Sequence, residues 1–282
     1  MILSGSASQS LAAALAAETG EPLAPVDVER FPDGELKARA AGVEGGRAVV
    51  VAATVSSDAH VELLQLQDAA REAGADEVVT VIPYMGYARQ DRAFEAGDPV
   101  SARAVARAIS TGTDRVLTVT PHEASVCDFF EVPAAAVEAA GLLADPLPED
   151  LADPVFLSPD EGAVDVAERA RDAYGRGETD WFEKTRRSAE EVEVRPSEVA
   201  VADRDVVLTD DIVATGSTMA AAVEHLSDRG AGRVFVACVH PLMAADARTK
   251  LARAGVEAVL GTDTLERPES AVSVAPAVAD AL

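Results

Sequence analysis

Apolar positions along the chain gather into short uniform runs. Ala48–Ala53, Glu77–Ile82, Arg115–Thr120, Val155–Ser158, Asp205–Thr209, Arg233–Val239 and Val256–Leu260 are rich in Val, Ile and Leu, and most carry no polar alternation. Runs of this kind predict strands buried on both faces, as in a parallel sheet. Ala-rich segments between them predict helices over Asp58–Ala73, Val100–Ser110, Ala163–Ala173, Thr218–Arg229 and Ala244–Ala254. Gly74, Gly112, Gly230 and Gly255 fall where helices need a C-terminal cap. Strand and helix alternate from end to end, which predicts an α/β chain with parallel sheets. Two stretches break the rhythm. Asp145–Pro154 (DPLPEDLADP) is the expected domain boundary, dividing the chain into residues 1–144 and 145–282. Gly175–Arg204 is polar and charged and reads as a long excursion between strands, of the sort that forms lids.

Composition sharpens this picture. A chain of 282 residues sits near the size at which one core stops growing, so one large or two medium domains are expected. Apolar residues make up 48 %, enough for a substantial core and against disorder. The formal charge is −25, spread along the chain, with three lysines (Lys37, Lys184, Lys250) against 21 arginines. Such a surface repels itself in dilute buffer and is screened by salt. It reads as adaptation to a salt-rich cytoplasm, and it makes each remaining lysine informative. The same field opposes nonspecific binding to nucleic-acid phosphates. No run of about 18 uncharged apolar residues predicts a membrane span. The first basic residue is Arg30, so the basic start of a signal peptide is missing. The expectation is a cytoplasmic protein with neither membrane nor nucleic acid as partner. Cys127 and Cys238 make neither a disulfide framework nor a zinc site and read as small buried hydrophobes. His60, His225 and His240 lack a motif and read as surface or packing residues.

The strongest chemical signal is Val206–Met219, VVLTDDIVATGSTM. An apolar strand runs into Asp210 and Asp211, then into the small-residue loop Ala214–Thr218, then into a helix. Ligands of α/β sheets bind beyond the carboxyl ends of the strands. A Gly/Ser/Thr loop opening a helix offers N–H groups, hydroxyls and the positive dipole end to a phosphate. The paired carboxylates can accept hydrogen bonds from sugar hydroxyls or hold metal-bound water. The plain alternative is a helix N-cap with acidic decoration. Three further segments carry chemistry or simple structure. RFPDGE (Arg30–Glu35) is by itself a turn. PYMGYARQDR (Pro83–Arg92) places Arg89 and Gln90 at a strand end, either to grip a nucleotide or as a solvated charge run. FLSPDEG (Phe156–Gly162) sets Asp160 after an apolar strand, as a ligand or as a turn before the next helix.

DDIVATGST resembles the phosphoribosyl-pyrophosphate (PRPP) motif of the type I phosphoribosyltransferase fold. With RFPDGE, YARQDR, TPHEASVCDFF (Thr120–Phe130), FLSPDEG and FEKTRR (Phe182–Arg187) in this order, the chain resembles the ribose-phosphate pyrophosphokinases, or PRPP synthases, over roughly Arg30 to Gly261. The resemblance implies two similar phosphoribosyltransferase-like domains, each a mainly parallel sheet flanked by helices: an N-terminal ATP-site domain and a C-terminal ribose 5-phosphate domain. It implies transfer of the β,γ-diphosphoryl group of ATP to the C1 hydroxyl of ribose 5-phosphate, giving PRPP and AMP for nucleotide biosynthesis. Asp33, Gly34 and Glu35 look like the adenine loop that reaches a neighbouring subunit, which implies a homo-oligomer with a shared ATP site. Arg89 and Gln90 look like further ATP-binding residues. His122 and Asp160 resemble positions associated with Mg²⁺. Lys184 and Arg186 resemble the catalytic pair of the flexible loop, Arg186 also touching ribose 5-phosphate. Asp210, Asp211, Ala214, Thr215, Gly216, Ser217 and Thr218 look like the ribose 5-phosphate site. The sequence departs from the common pattern at Thr120, where the family usually has Asp, and at Ala214, where it usually has an acid. Two other readings compete: a phosphoribosyltransferase using PRPP and a nucleobase, which leaves RFPDGE, YARQDR and EKTRR idle, and a non-catalytic regulatory homologue.

Overall fold

The structure is a computed structural model that describes residues 1–43, 45–186, 192–195 and 199–282. The chain forms two compact units. The first contains Met1–Glu138, Asp263–Glu266 and Ser273–Leu282, and the second contains Ala139–Thr262 and Arg267–Val272.

The first unit runs β1 (Ile2–Ser4), α1 (Gln9–Thr19), β2 (Val26–Arg30), β3 (Leu36–Ala40), β4 (Arg47–Val51), α2 (Ser57–Glu72), β5 (Glu77–Ile82), α3 (Ser101–Ser110), β6 (Arg115–Val119) and β7 (Ala134–Val137). Its main sheet has the order β1-β4-β5-β6-β7 and every pairing is parallel. The continuous apolar runs become the central strands, because both faces are covered. Val50, Val78 and Val116 pack with Leu63 and Leu66 of α2 and with Ile109 of α3. β2 and β3 form a separate antiparallel hairpin.

The second unit runs β8 (Val155–Ser158), α4 (Val164–Tyr174), β9 (Glu178–Trp181), β10 (Glu183–Arg186), β11 (Val192–Arg195), β12 (Val206–Ile212), α5 (Ser217–Asp228), β13 (Val234–His240), α6 (Ala247–Ala254), β14 (Ala258–Thr262) and β15 (Ser270–Val272). Its sheet, β15-β14-β13-β12-β8-β9, is also parallel throughout. Leu157, Leu208, Val223, Leu226, Val236 and Leu251 belong to its core. The last helix, α7 (Ala275–Ala281), returns to the first unit. There Arg115 Nη2 donates to Ala281 O at 2.7 Å and Arg47 Nη1 to Leu282 O at 3.1 Å.

The structure differs from these expectations at several points. The units divide at Glu138/Ala139 instead of Asp145, and the C-terminal helix crosses back. The Asp145–Pro154 stretch is tied down within the second unit: Tyr174 Oη donates to Pro148 O at 2.6 Å, Arg176 Nη2 to Leu151 O at 2.8 Å, and Ala152 N to Asp205 Oδ2 at 2.8 Å. Gly175–Arg204 holds an edge strand, β9, and the two-stranded ribbon β10–β11. Charged residues fill those strands and mask their period of two. Gly112 is kept for close approach and not for a left-handed cap: a Cβ there would lie 2.7 Å from Gln67 Oε1. Cys238 and His240 are buried in β13, whereas Cys127 is only half-buried. His60 and His225 do pack, against Tyr87 and Phe182 at ring distances of 5.4 and 6.2 Å.

Candidate active site

In the second unit the site grows from the C-terminal ends of parallel strands. β12 lies between β8 and β13, with Leu208 opposite Leu157 and Asp210 opposite Cys238. The first four residues of β12 are buried, and the strand emerges at Asp210 and Asp211. The chain leaving β8 turns at Asp160, whose Oδ1 accepts from Gly162 N at 3.1 Å while Ser158 Oγ donates to its carbonyl at 2.7 Å. Burial pushes the Asp210 carboxyl well above the usual carboxylate range. The charge of Asp211, the hydrogen bond between the two side chains and the charge of Asp160 push it the same way, and the N–H of Asp211 opposes them. That N–H donates to Asp210 Oδ1 at 2.9 Å, and Ile212 N donates to Asp211 Oδ1 at 2.8 Å.

The loop that follows is braced by the chain leaving β13. Met243 N donates to Val213 O at 3.0 Å and Ala244 N to Ala214 O at 2.9 Å. Gly216 has φ +70°, and a Cβ there would stand 3.3 Å from Ala247 O and from Leu251 Cγ of α6. Glycine is thus needed both for the left-handed turn and for close packing. α5 begins at Ser217. Its first-turn N–H groups have no partner within the helix, and the positive end of its dipole lies at the loop. Ser217 Oγ accepts from Lys250 Nζ at 3.2 Å and from Thr215 Oγ1 at 3.4 Å, and Lys250 pairs with Asp246 at 2.9 Å. No sequence motif contains Lys250, although its rarity as a lysine is a signal. The arrangement has the character of an anion cradle, beside two carboxylates able to accept hydrogen bonds.

In the first unit the RFPDGE turn is the exposed tip of the β2–β3 hairpin. Phe31 N donates to Glu35 O at 2.8 Å, Gly34 N to Phe31 O at 2.9 Å and Glu35 N to Asp33 Oδ1 at 3.1 Å. Arg30 clamps the tip from below, reaching Gly34 O at 2.6 Å and Asp58 at 2.5 Å. Asp33, Gly34 and Glu35 all face solvent. Arg89 and Gln90 follow a strap at the ends of β4 and β5. Gly86 N donates to Thr54 Oγ1 at 2.8 Å, and a Cβ at Gly86 would meet Thr54 O at 2.1 Å. Arg89 is exposed, while Gln90 Oε1 accepts from Ser101 Oγ at 2.5 Å at the start of α3. His122 is exposed beyond the end of β6, two residues after Thr120, whose φ of +33° is unfavourable for a β-branched side chain.

Lys184 and Arg186 occupy alternate positions of β10, opposite Val194 and Val192. Arg187, the last residue of FEKTRR, lies outside the described residues. Among the described residues no three His, Cys, Asp or Glu side chains group as a metal cage. Mg²⁺ keeps several waters and takes one or two carboxylates together with substrate phosphates. The oxygen donors and crowded negative charge of Asp160, Asp210 and Asp211 suit such a partial shell.

Residues 1–112 match the family model described as the N-terminal domain of ribose phosphate pyrophosphokinase, and residues 128–270 match that of the phosphoribosyl transferase domain. A ribose-phosphate pyrophosphokinase of Halobacterium salinarum is 67% identical over 283 residues, covering 100% of both chains. The chain belongs to the ribose-phosphate pyrophosphokinase family. A second member, from Methanopyrus kandleri, is 44% identical over 286 residues, covering 100% of this chain and 98% of its own. The crystal structure of phosphoribosylpyrophosphate synthetase from Mycobacterium smegmatis matches with a TM-score of 0.86 at 30% identity, over 100% of this chain and 96% of that one. The two parallel α/β domains expected of a ribose-phosphate pyrophosphokinase are present. Of the residues carried over from the family motifs, Asp160, Asp210, Asp211 and the 214–218 loop come together in the second unit. Asp33–Glu35, Arg89, Gln90 and His122 belong to the first. Among the described residues no helix is long and apolar enough to cross a membrane.

Proposed function

We propose that the protein transfers the β,γ-diphosphoryl group of ATP to ribose 5-phosphate, giving PRPP and AMP for nucleotide biosynthesis. The observation that carries this reading is the full-length likeness to the Halobacterium salinarum ribose-phosphate pyrophosphokinase, which leaves no part of either chain out. A transferase that uses a nucleobase has no need of a domain like residues 1–112.

The 214–218 loop and the first turn of α5 hold the 5-phosphate, and Asp210 and Asp211 accept hydrogen bonds from the ribose hydroxyls. Arg89 and Gln90 hold ATP, with Asp33, Gly34 and Glu35 from a neighbouring copy closing around its base. Fixing the two substrates together replaces a bimolecular encounter by an oriented one. The C1 hydroxyl oxygen then attacks the β-phosphorus and gives up its proton to solvent, the bond from that phosphorus to the α-phosphate oxygen breaks, and AMP leaves. Lys184 and Arg186 place positive charge where it is needed on the transferring oxygens. Mg²⁺, for which Asp160 offers a carboxylate in the second unit, would neutralise the triphosphate charge when bound. The acidic surface suits a salt-rich cytoplasm.

The test supplies purified protein with ATP, ribose 5-phosphate and Mg²⁺ in molar KCl and no nucleobase. AMP and PRPP in equal amounts are expected, and no AMP under these conditions would end the proposal. Sedimentation in the same buffer should find at least a dimer, whereas a fully active monomer would remove the shared ATP site.

A further inference from the structure

Lys250 belongs to none of the motifs, yet it is one of three lysines in a chain that otherwise uses arginine. Its ammonium sits 3.2 Å from Ser217 Oγ, at the start of α5, and 2.9 Å from Asp246 Oδ1 one turn back on its own helix. A hydroxyl has one proton to donate and two lone pairs to accept with. At Ser217 the ammonium of Lys250 and the hydroxyl of Thr215 both donate to that oxygen, the latter at 3.4 Å. The proton of Ser217 is thereby turned away from both of them and is left to donate to something else.

We propose that Lys250 is a positioning residue for the phosphate group of ribose 5-phosphate. It fixes Ser217 as a donor and sets a positive charge behind the loop. The proposal rests on the phosphate-loop reading above and extends it to a residue outside the loop. Three features support it. The segment Asp210–Thr218 contains two carboxylates and no basic residue, so a phosphate dianion there has no cation from the loop itself. Asp160 adds a third negative charge that is felt at Asp210. A phosphate oxygen bonded to Ser217 Oγ at about 2.8 Å would stand within roughly 6 Å of the Lys250 ammonium, well inside the Debye length of about 8 Å at physiological salt. The position of Lys250 is also well determined. α6 packs directly against Gly216, and Asp246 restrains the lysine through an i,i+4 pair on the same helix.

Kinetics on the intact protein test this with Lys250→Met, Lys250→Arg, Thr218→Ala, Ser217→Ala and the double variant Ser217→Ala/Lys250→Met. Lys250→Met should raise the KM for ribose 5-phosphate about tenfold, the scale of one charge-assisted contact. Its kcat should stay within about twofold and its KM for ATP unchanged. Lys250→Arg should recover most of the loss. The double variant should lose less than the product of the two single changes, because the lysine acts through the serine. A normal KM in Lys250→Met beside a raised one in Thr218→Ala would overturn the inference and leave the loop reading standing. Normal values in both would remove the loop reading and this inference together. A lowered melting temperature in Lys250→Met, with kcat and both KM values shifted alike, would reduce Lys250 to a structural role and equally overturn the proposal.

Discussion

Asp205 is the acid that closes the lower end of the second sheet, opposite the site. Its carboxylate accepts from Ala152 N at 2.8 Å, from Arg233 N at 2.9 Å, and from the Arg233 guanidinium at 2.7 and 3.1 Å. Burial alone would raise its pKa, but the hydrogen bonds from Arg233 and the two backbone N–H groups hold it below the usual carboxylate range. A depressed folded-state pKa contributes stability above the unfolded value of about 3.9 and loses it as pH falls through the folded value. Asp205→Asn should therefore cost about 2 kcal/mol near neutral pH, the scale of charge-assisted bonds to a buried group. The gap to the parent protein should narrow below about pH 4. Urea titrations at pH 7 and pH 3 read both, and equal gaps at the two pH values would contradict the assignment. At Lys184 the expectation is catalytic. Lys184→Ala should lower kcat by roughly 10²–10³-fold, the range for one preorganised charge-stabilising group, with little change in KM for ATP. A near-normal kcat would make this lysine a solvated charge only.

At the scale of elements, α6 and the 214–218 loop are packed together through Gly216. Gly216→Ala forces a side chain into a left-handed turn and 3.3 Å from Ala247 O and Leu251 Cγ. It should cost about 1–2 kcal/mol and raise the KM for ribose 5-phosphate, because the loop must lift off α6 to admit the methyl. Thermal melts and steady-state kinetics on the same preparation check this, and a variant that keeps both values refutes the close-approach argument. The β2–β3 hairpin and the β10–β11 ribbon are the contrasting elements. Both stand outside the parallel sheets and carry residues proposed to act on ATP, Asp33–Glu35 and Lys184 with Arg186.

For the whole molecule the charge of −25 outweighs any single contact. Self-repulsion weakens as salt shortens the Debye length from about 10 Å at 0.1 M to about 3 Å at 1 M. The melting temperature should therefore climb across a KCl series over this range, and a flat series would rule out the adaptation to salt. Both substrates are polyanions, so the same screening should assist their approach to a surface that otherwise repels them.

The sequence by itself determined the central strands and which side chains stand at their ends. Valine-rich runs can be buried only between two covered faces, so β5 and β8 stand at Glu77–Ile82 and Val155–Ser158 as expected. Two adjacent aspartates before a glycine turn and a helix are a local pattern, and local patterns survive folding. β1, β7, β9 and β15 escaped notice because they are three or four residues long, too short to show a period of their own. α7 returns to the first unit, where Arg115 and Arg47 reach the carbonyls of Ala281 and Leu282, contacts that no local signal encodes. Tertiary structure alone brought Asp160 beside Asp210 and set Lys250 on Ser217, because parallel pairing and helix packing join residues that the sequence holds 50 and 33 positions apart.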